Sequence, residues 1–223
     1  MRTLSSSNLI QRLAVVFIAF AVHATLPVQA DEKPAASSDK DGEWQPDPGF
    51  VSLFNGQDLS GWCFRAKTDK KSTQPGEILV KFDGQTASND DARYTAKDGI
   101  LTVNYPKGKE SLHAQLYTIA EFPKDFVLKL EFRASVNADS GVFIRKPQLQ
   151  CRDYLVAGPY KELKNYKPQE WNEIIVTVKD NIAHCTCNGE VLEAALALPE
   201  TGPIGLEGDR GQMEYRKIQL KAL

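Results

Sequence analysis

The chain has 223 residues, a formal net charge of −2, 42% hydrophobic and 25% charged residues, the balance of an ordinary globular protein. That composition excludes a disordered, collagen-like or coiled-coil chain, and the weak acidity argues against a nucleic-acid partner, which requires a clustered basic patch. Arg2 and Arg12 flank a polar start, Leu13 to Leu26 runs almost unbroken apolar, and Val28-Gln29-Ala30 places small residues before a cleavage point. Residues 1–30 therefore read as a secretory signal peptide. The apolar run is shorter than a transmembrane helix requires and ends at Pro27, so no membrane association is expected after cleavage and the protein is expected to be periplasmic or secreted. Removing those residues takes away two arginines and no acid, leaving a net charge of −4. Residues 31–49, rich in Asp, Lys, Ala, Ser and Pro, read as a disordered leader, and residues 50–223 as a single domain.

Nearly every segment of that domain alternates as strand and turn. Phe50 to Phe54 ends at Asn55-Gly56, and Tyr94 to Ala96 and Ile100 to Val103 flank Lys97-Asp98-Gly99, a hairpin with glycine where the turn needs positive φ. Phe126 to Arg133 alternates cleanly, with Phe126, Leu128, Leu130 and Phe132 on one side and Val127, Lys129, Glu131 and Arg133 on the other. Strands continue at Gly141 to Arg145, Gln148 to Arg152 and Glu173 to Lys179. Ile182 to Cys187 and Glu190 to Glu193 pair around Asn188-Gly189, and Ile204 to Glu207 and Met213 to Leu220 close the chain. No amphipathic helix longer than about two turns is expected. A dozen short strands with frequent turns specify an all-β sandwich or barrel.

Four cysteines follow the leader: Cys63, Cys151, Cys185 and Cys187. Cys185 and Cys187 lie on one face of a strand about 6.6–6.8 Å apart, the far limit for a disulfide. Bridges, if they form, join one of this pair to Cys63 or Cys151; four buried thiols are the alternative. No Cys or His pair stands at zinc-ligand spacing. Ser88-Asn89-Asp90-Asp91 offers oxygens to a divalent metal such as calcium, against the simpler reading of an acidic turn, and no cofactor is predicted. Trp62 and Trp171 read as core residues. Tyr160, in the turn Gly158-Pro159-Tyr160, reads as an exposed platform for a sugar ring.

Phe50 to Trp62 (FVSLFNGQDLSGW), Phe126 to Arg133, Asp139-Ser-Gly-Val-Phe-Ile-Arg145, Glu170-Trp-Asn172, Asn188-Gly189 and Gly202-Pro-Ile-Gly-Leu-Glu-Gly-Asp209 occur in that order. Together they resemble the 3-keto-disaccharide hydrolase family over essentially all of 50–223. The resemblance implies a concanavalin A-like jelly-roll β-sandwich of two antiparallel sheets, with a carbohydrate ligand on the concave outer face of one sheet. It also implies chemistry on a glycoside already oxidised at C3: a base removes the acidified C2 proton, the C1 substituent leaves, and hydration of the glucal completes a net hydrolysis. Such a site needs a base, a stabiliser for the enolate and a proton for the leaving oxygen. Two-carboxylate glycosidase chemistry is the competing mechanism.

Parity within each strand nominates the lining. Glu131, Arg133, Gln148, Gln150, Arg152 and Glu207 point away from the core, with Arg145 at a strand end. Glu131 or Glu207 is the expected base and Arg145 the expected enolate stabiliser. Arg133, Gln148, Gln150, Arg152, Asp153, Tyr160 and Asp209 are the expected substrate contacts, gathered with the base around one surface. Relatives often show Glu-x-Gln-x-x-Asp where this chain has Gln148-Leu-Gln150-Cys-Arg-Asp153. A glutamine cannot act as a base, so this departure favours a second reading, a non-catalytic carbohydrate-binding module.

Overall fold

Alternating apolar and polar side chains become two stacked antiparallel sheets in the computed structural model, which describes residues 44–67, 75–90, 92–105, 115–153 and 158–223. The expected signal peptide and most of the expected leader lie outside the described residues. The strands are β1 (Val51–Ser52), β2 (Trp62–Lys67), β3 (Pro75–Lys81), β4 (Tyr94–Lys97), β5 (Ile100–Val103), β6 (Gln115–Thr118) and β7 (Phe126–Ala134). After them come β8 (Asp139–Ile144), β9 (Gln148–Arg152), β10 (Asn172–Lys179), β11 (Ile182–Cys187), β12 (Glu190–Ala197), β13 (Ile204–Glu207) and β14 (Met213–Ala222). Pro159–Glu162 is a single 3₁₀ turn. The hairpins at Asp98-Gly99 and Asn188-Gly189 form as the turn residues require, each pair with positive φ.

One sheet has eight strands in the order β12-β11-β10-β7-β14-β5-β4, with β1 paired to β14; the other has six, in the order β3-β2-β6-β13-β8-β9. The all-β sandwich of two antiparallel sheets expected from the sequence is the architecture observed. Between the sheets lies one large apolar core, to which Leu128, Leu130 and Phe132 of β7 contribute from one side and Val142, Ile144, Ile204 and Leu206 from the other. Each such fully buried side chain contributes about 1.5–3 kcal/mol of transfer free energy. Trp62 is fully buried, as expected. Tyr160 is fully buried as well, correcting its reading as an exposed platform: the 3₁₀ turn folds it under β9, where its hydroxyl donates to the Gln150 carbonyl at 2.7 Å.

All four cysteines are buried free thiols, so the thiol alternative holds. Burial pushes the Cys185 and Cys187 thiols up to about 12 and those of Cys63 and Cys151 upward too.

Arg145 departs most from its expected role. It opens the β8–β9 turn with φ 62°, a left-handed conformation that turns its side chain inward, and it is 1% exposed. Nε donates to the Phe122 carbonyl (2.7 Å), Nη1 to Asn181 Oδ1 (2.7 Å) and to the Pro199 carbonyl (2.8 Å), and Nη2 to the Lys124 carbonyl (2.9 Å). The planar fork ties together the ends of three connections instead of facing a ligand.

Arg145→Lys keeps the charge but strands several of these acceptors, so it should cost about 3 kcal/mol, read as a fall in Tm of roughly 6–12 °C. An unchanged Tm with reduced turnover would return Arg145 to the site. The buried thiols give a second expectation: a thiol-specific reagent should label the native protein slowly and all four cysteines once guanidinium unfolds it, without prior reduction.

Candidate functional site

Strand register on the outer face of the six-stranded sheet sets side chains in rows. Cys63, Tyr117, Gly205, Phe143 and Gln148 form one row across β2, β6, β13, β8 and β9. Gln115 pairs with Glu207, and on the other side of β13 Gly141 pairs with Gln150, forming the next row. Asp139 and Arg152 begin a third. Two glycines on adjacent strands leave a depression, and their neighbours use it. A Cβ on Gly205 would stand 2.5 Å from Tyr117 Cε1, and one on Gly141 2.5 Å from Gln148 Cγ. Tyr117 therefore lies across β13 against Phe143, rings 6.1 Å apart, and Gln148 lies across β8 toward Glu207.

Glu207 is the centre of this face. Gln115 Nε2 donates to Oε1 at 2.7 Å, and Gln148 Nε2 donates to Oε2. Half-burial raises the proton affinity of the carboxyl above the ordinary glutamate value; the Gln115 bond opposes that shift, Asp209 and Asp139 add to it, and Arg93 opposes it. One row away, Asp139 holds two guanidinium groups, Arg152 Nε at 3.1 Å and Arg210 Nη2 at 3.3 Å. Polar groups that accept and donate in pairs thus border a half-buried carboxylate and a small aromatic surface, an arrangement suited to the hydroxyls and carbon face of a sugar ring.

The residues nominated from sequence divide between the two faces of the sandwich. Gln148, Gln150, Arg152 and Glu207 do share a face, with Asp209 exposed in the loop that follows β13. Glu131 and Arg133 do not join them: β7 belongs to the eight-stranded sheet, so its outward side chains lie on the opposite side of the molecule. There Glu131 is held by Arg216 Nε at 2.6 Å and Lys217 Nζ at 3.3 Å, and Arg133 Nε by Glu214 at 2.5 Å. The expectation of one common surface is corrected accordingly. Parity identifies an outward side chain but not the sheet to which its strand belongs.

Asp153 turns inward, accepting from Tyr166 Oη (2.9 Å) and the Asn137 amide (3.0 Å), and Arg145 and Tyr160 are buried as described. Trp171 is half-buried on the outer face of the eight-stranded sheet, correcting its reading as core. In the Ser88–Asp91 turn, Asn89 Oδ1 accepts from the Tyr94 amide at 2.7 Å; Asp91 lies outside the described residues. Among the described residues no group of three or more His, Cys, Asp or Glu is placed to hold a metal ion, and no helix is long and apolar enough to cross a membrane.

Sequence reasoning missed Gln115, Tyr117 and the pairing of Arg210 with Asp139. Strand β6, Gln-Leu-Tyr-Thr, has no flanking turn dipeptide to mark it, and Arg210 follows a strand end where pattern carries no direction.

The profile of the 3-keto-alpha-glucoside-1,2-lyase-like domain matches residues 49–221. No curated protein matches the chain. Two solved structures from Parabacteroides distasonis ATCC 8503, each provisionally named a glycosyl hydrolase, are similar to it. The first is 16% identical over 78% of this chain and 94% of its own, with a TM-score of 0.57; the second is 19% identical over 61% and 93%, with a TM-score of 0.48. The first likeness supports the sandwich architecture. The profile match takes in every strand of both sheets but for the last residue of β14, so the chain belongs to the family of 3-keto-alpha-glucoside-1,2-lyase-like domains.

Proposed function

We propose that this protein cleaves 3-keto glycosides by elimination followed by hydration, outside the cytoplasm, with Glu207 as the base. The observation that carries the reading is the state of Glu207: a half-buried carboxylate, both oxygens held by glutamine amides, with its proton affinity raised. A base of that kind is better matched to carbon acids than an exposed carboxylate. Glu207 takes the C2 proton, the electron pair moves onto the ketone oxygen as the C2–C3 enolate, and as the C3 carbonyl re-forms the 1,2-double bond forms and the C1–O bond breaks. The balance closes when the proton taken from C2 ends on the leaving oxygen and water adds across the glucal. Charge on the ketone oxygen develops near the Asp139–Arg152–Arg210 group, which supplies fixed guanidinium donors on the same face. Arg152 and Arg210 thereby take the part expected of Arg145, while Gln150 and Asp209 remain the candidate hydroxyl contacts. The export half of the reading is supported by residues 1–30 as a sequence.

The second reading, a carbohydrate-binding module, is favoured by Gln148: an amide occupies the position where relatives often carry a carboxylate.

Incubating the protein with 3-keto-glucosides and with their unoxidised parents separates the readings. Turnover of the keto sugars alone is expected. Glu207→Gln should lower it by about 10²–10⁴-fold, and Glu131→Gln should leave it near the unmutated rate. Sugar binding without turnover in the unmutated protein selects the binding module.

The pH dependence has a defined sign. A carboxyl whose proton affinity is raised by folding loses its proton later than in the unfolded chain, so Glu207 lowers stability as pH rises from the ordinary glutamate value to the raised one. Turnover should rise over that same interval as the base ionises. Glu207→Gln should abolish both changes; a rate profile that levels at or below the ordinary glutamate value would remove Glu207 from the base role.

A further inference from the structure

The face that Glu131 and Arg133 do occupy is organised beyond what a solvated sheet requires. Across β10, β7 and β14, Arg133 pairs in register with Glu214 and Glu131 with Arg216. The Arg133 guanidinium carbon lies 4.7 Å from the centre of the Trp171 ring and that of Arg216 4.2 Å from it. A bulge in β14 between Arg216 and Gln219 carries Lys217 at φ 52°, and it lets consecutive cations, Arg216 and Lys217, grip the same carboxylate, Glu131. Beside this group a cavity of about 220 Å³ is lined by Arg133, Ala134, Ser135, Gln169, Gln212 and Glu214. Gln169 also stands at positive φ, 57°.

Left-handed backbone at a non-glycine residue costs of order 1–3 kcal/mol and persists where its surroundings determine it. One such residue, Gln169, lines the cavity, and a second, Lys217, lies in the β14 bulge that follows Arg216. Gln212 is held to Ser135 through its backbone amide (3.0 Å), and its side chain reaches Glu214 (3.4 Å). The walls therefore hold a paired guanidinium and carboxylate, Arg133 and Glu214, and the Ser135 hydroxyl bonded to the Gln212 backbone amide, with the side-chain amides of Gln169 and Gln212 at the exposed rim.

From this pocket and its paired guanidinium and carboxylate we infer that the outer face of the eight-stranded sheet carries a second carbohydrate-binding site, for a single neutral sugar ring, on the opposite side of the molecule from Glu207. The chemistry selects the class. Both arginines already face carboxylates, Arg133 with Glu214 and Arg216 with Glu131, so the pocket has little net charge to offer an anion. A vicinal diol, which donates and accepts at once, matches an adjacent carboxylate and guanidinium. The volume lies below the roughly 300–1,000 Å³ of pockets for drug-sized ligands and fits one ring. The site is independent of the cleavage chemistry proposed above.

The test is an amide NMR titration of the whole protein with methyl α-D-glucopyranoside, methyl β-D-galactopyranoside and methyl β-D-glucuronide. At least one neutral glycoside should produce saturable shifts at residues 133–135 and 212–214 with a Kd of order millimolar. Gln212→Ala, at an exposed side chain, and Glu214→Gln should each weaken that binding about fivefold, the loss of one hydrogen bond, while Glu207→Gln leaves it unchanged. The inference is overturned by shifts confined to the Glu207 face, by no saturable shift up to about 100 mM, by binding that survives both substitutions, or by a preference for the glucuronide.

Discussion

Three successive carbonyls at the end of β13 fix the geometry on which the Glu207 face depends. The Leu206 carbonyl accepts from Tyr94 Oη at 3.2 Å, that of Glu207 from Ser140 Oγ and from Tyr215 Oη at 3.2 Å, and that of Gly208 from Arg93 Nη2. A buried carbonyl costs about 1–3 kcal/mol if its acceptor capacity goes unmet. The opposite sheet helps meet two of them: Tyr94 belongs to β4 and Tyr215 to β14, so their hydroxyls cross the core. Burial drives both phenols far above their ordinary ionisation range, which keeps them neutral donors throughout the working pH range. The backbone that bears Glu207 is thus held from below by the core, while its side chain is held from outside by two glutamines.

The same sandwich gives its two outer faces different capacities. On the eight-stranded sheet the outward residues of β7 and β14 are long and charged, and they pair across neighbouring strands, so their own side chains cover that surface except at the pocket beside Arg133 and Glu214. On the six-stranded sheet two rows contain a glycine at a central strand, Gly205 on β13 and Gly141 on β8. A missing side chain at the centre of a sheet costs packing. What it yields here is room for Tyr117 and Gln148 to lie flat and for Glu207 to remain half-exposed between them.

How far the sequence carried follows from these particulars. Alternation in 126–133 and 148–152 correctly separated inward from outward residues, because a period of two survives whatever surrounds the strand. It could not place β7 and β13 in different sheets, since strand order depends on pairings distant in the chain. Arg145 read as a ligand group because it ends a strand inside a family-like motif, yet a left-handed turn residue sends its side chain inward, and that conformation is set by the carbonyls it satisfies. Tyr160 failed similarly: Gly158-Pro159 predicts a turn but not whether the next ring goes under the sheet. Strands β2, β3 and β6 went unseen because β6 has no turn dipeptide beside it, unlike the equally short β4 and β5 at Asp98-Gly99, and β2 and β3 are broken in register.

The electrostatics of the Glu207 face follow from which groups stand nearest. An arginine directly on this carboxylate would lower its proton affinity and weaken it as a base. Amides satisfy the same lone pairs with partial charges, and the pull of the Gln115 bond is outweighed by the effect of burial. The arginines that share the face, Arg152 and Arg210, are drawn toward Asp139 instead, one strand and one row from Glu207. Asp139 thereby acts twice: it orients two guanidinium groups, and its own charge contributes to the raised proton affinity of Glu207. Basicity and positive charge are kept adjacent without cancelling, the separation a site must maintain if it is to take a proton from carbon and hold the negative charge left on oxygen.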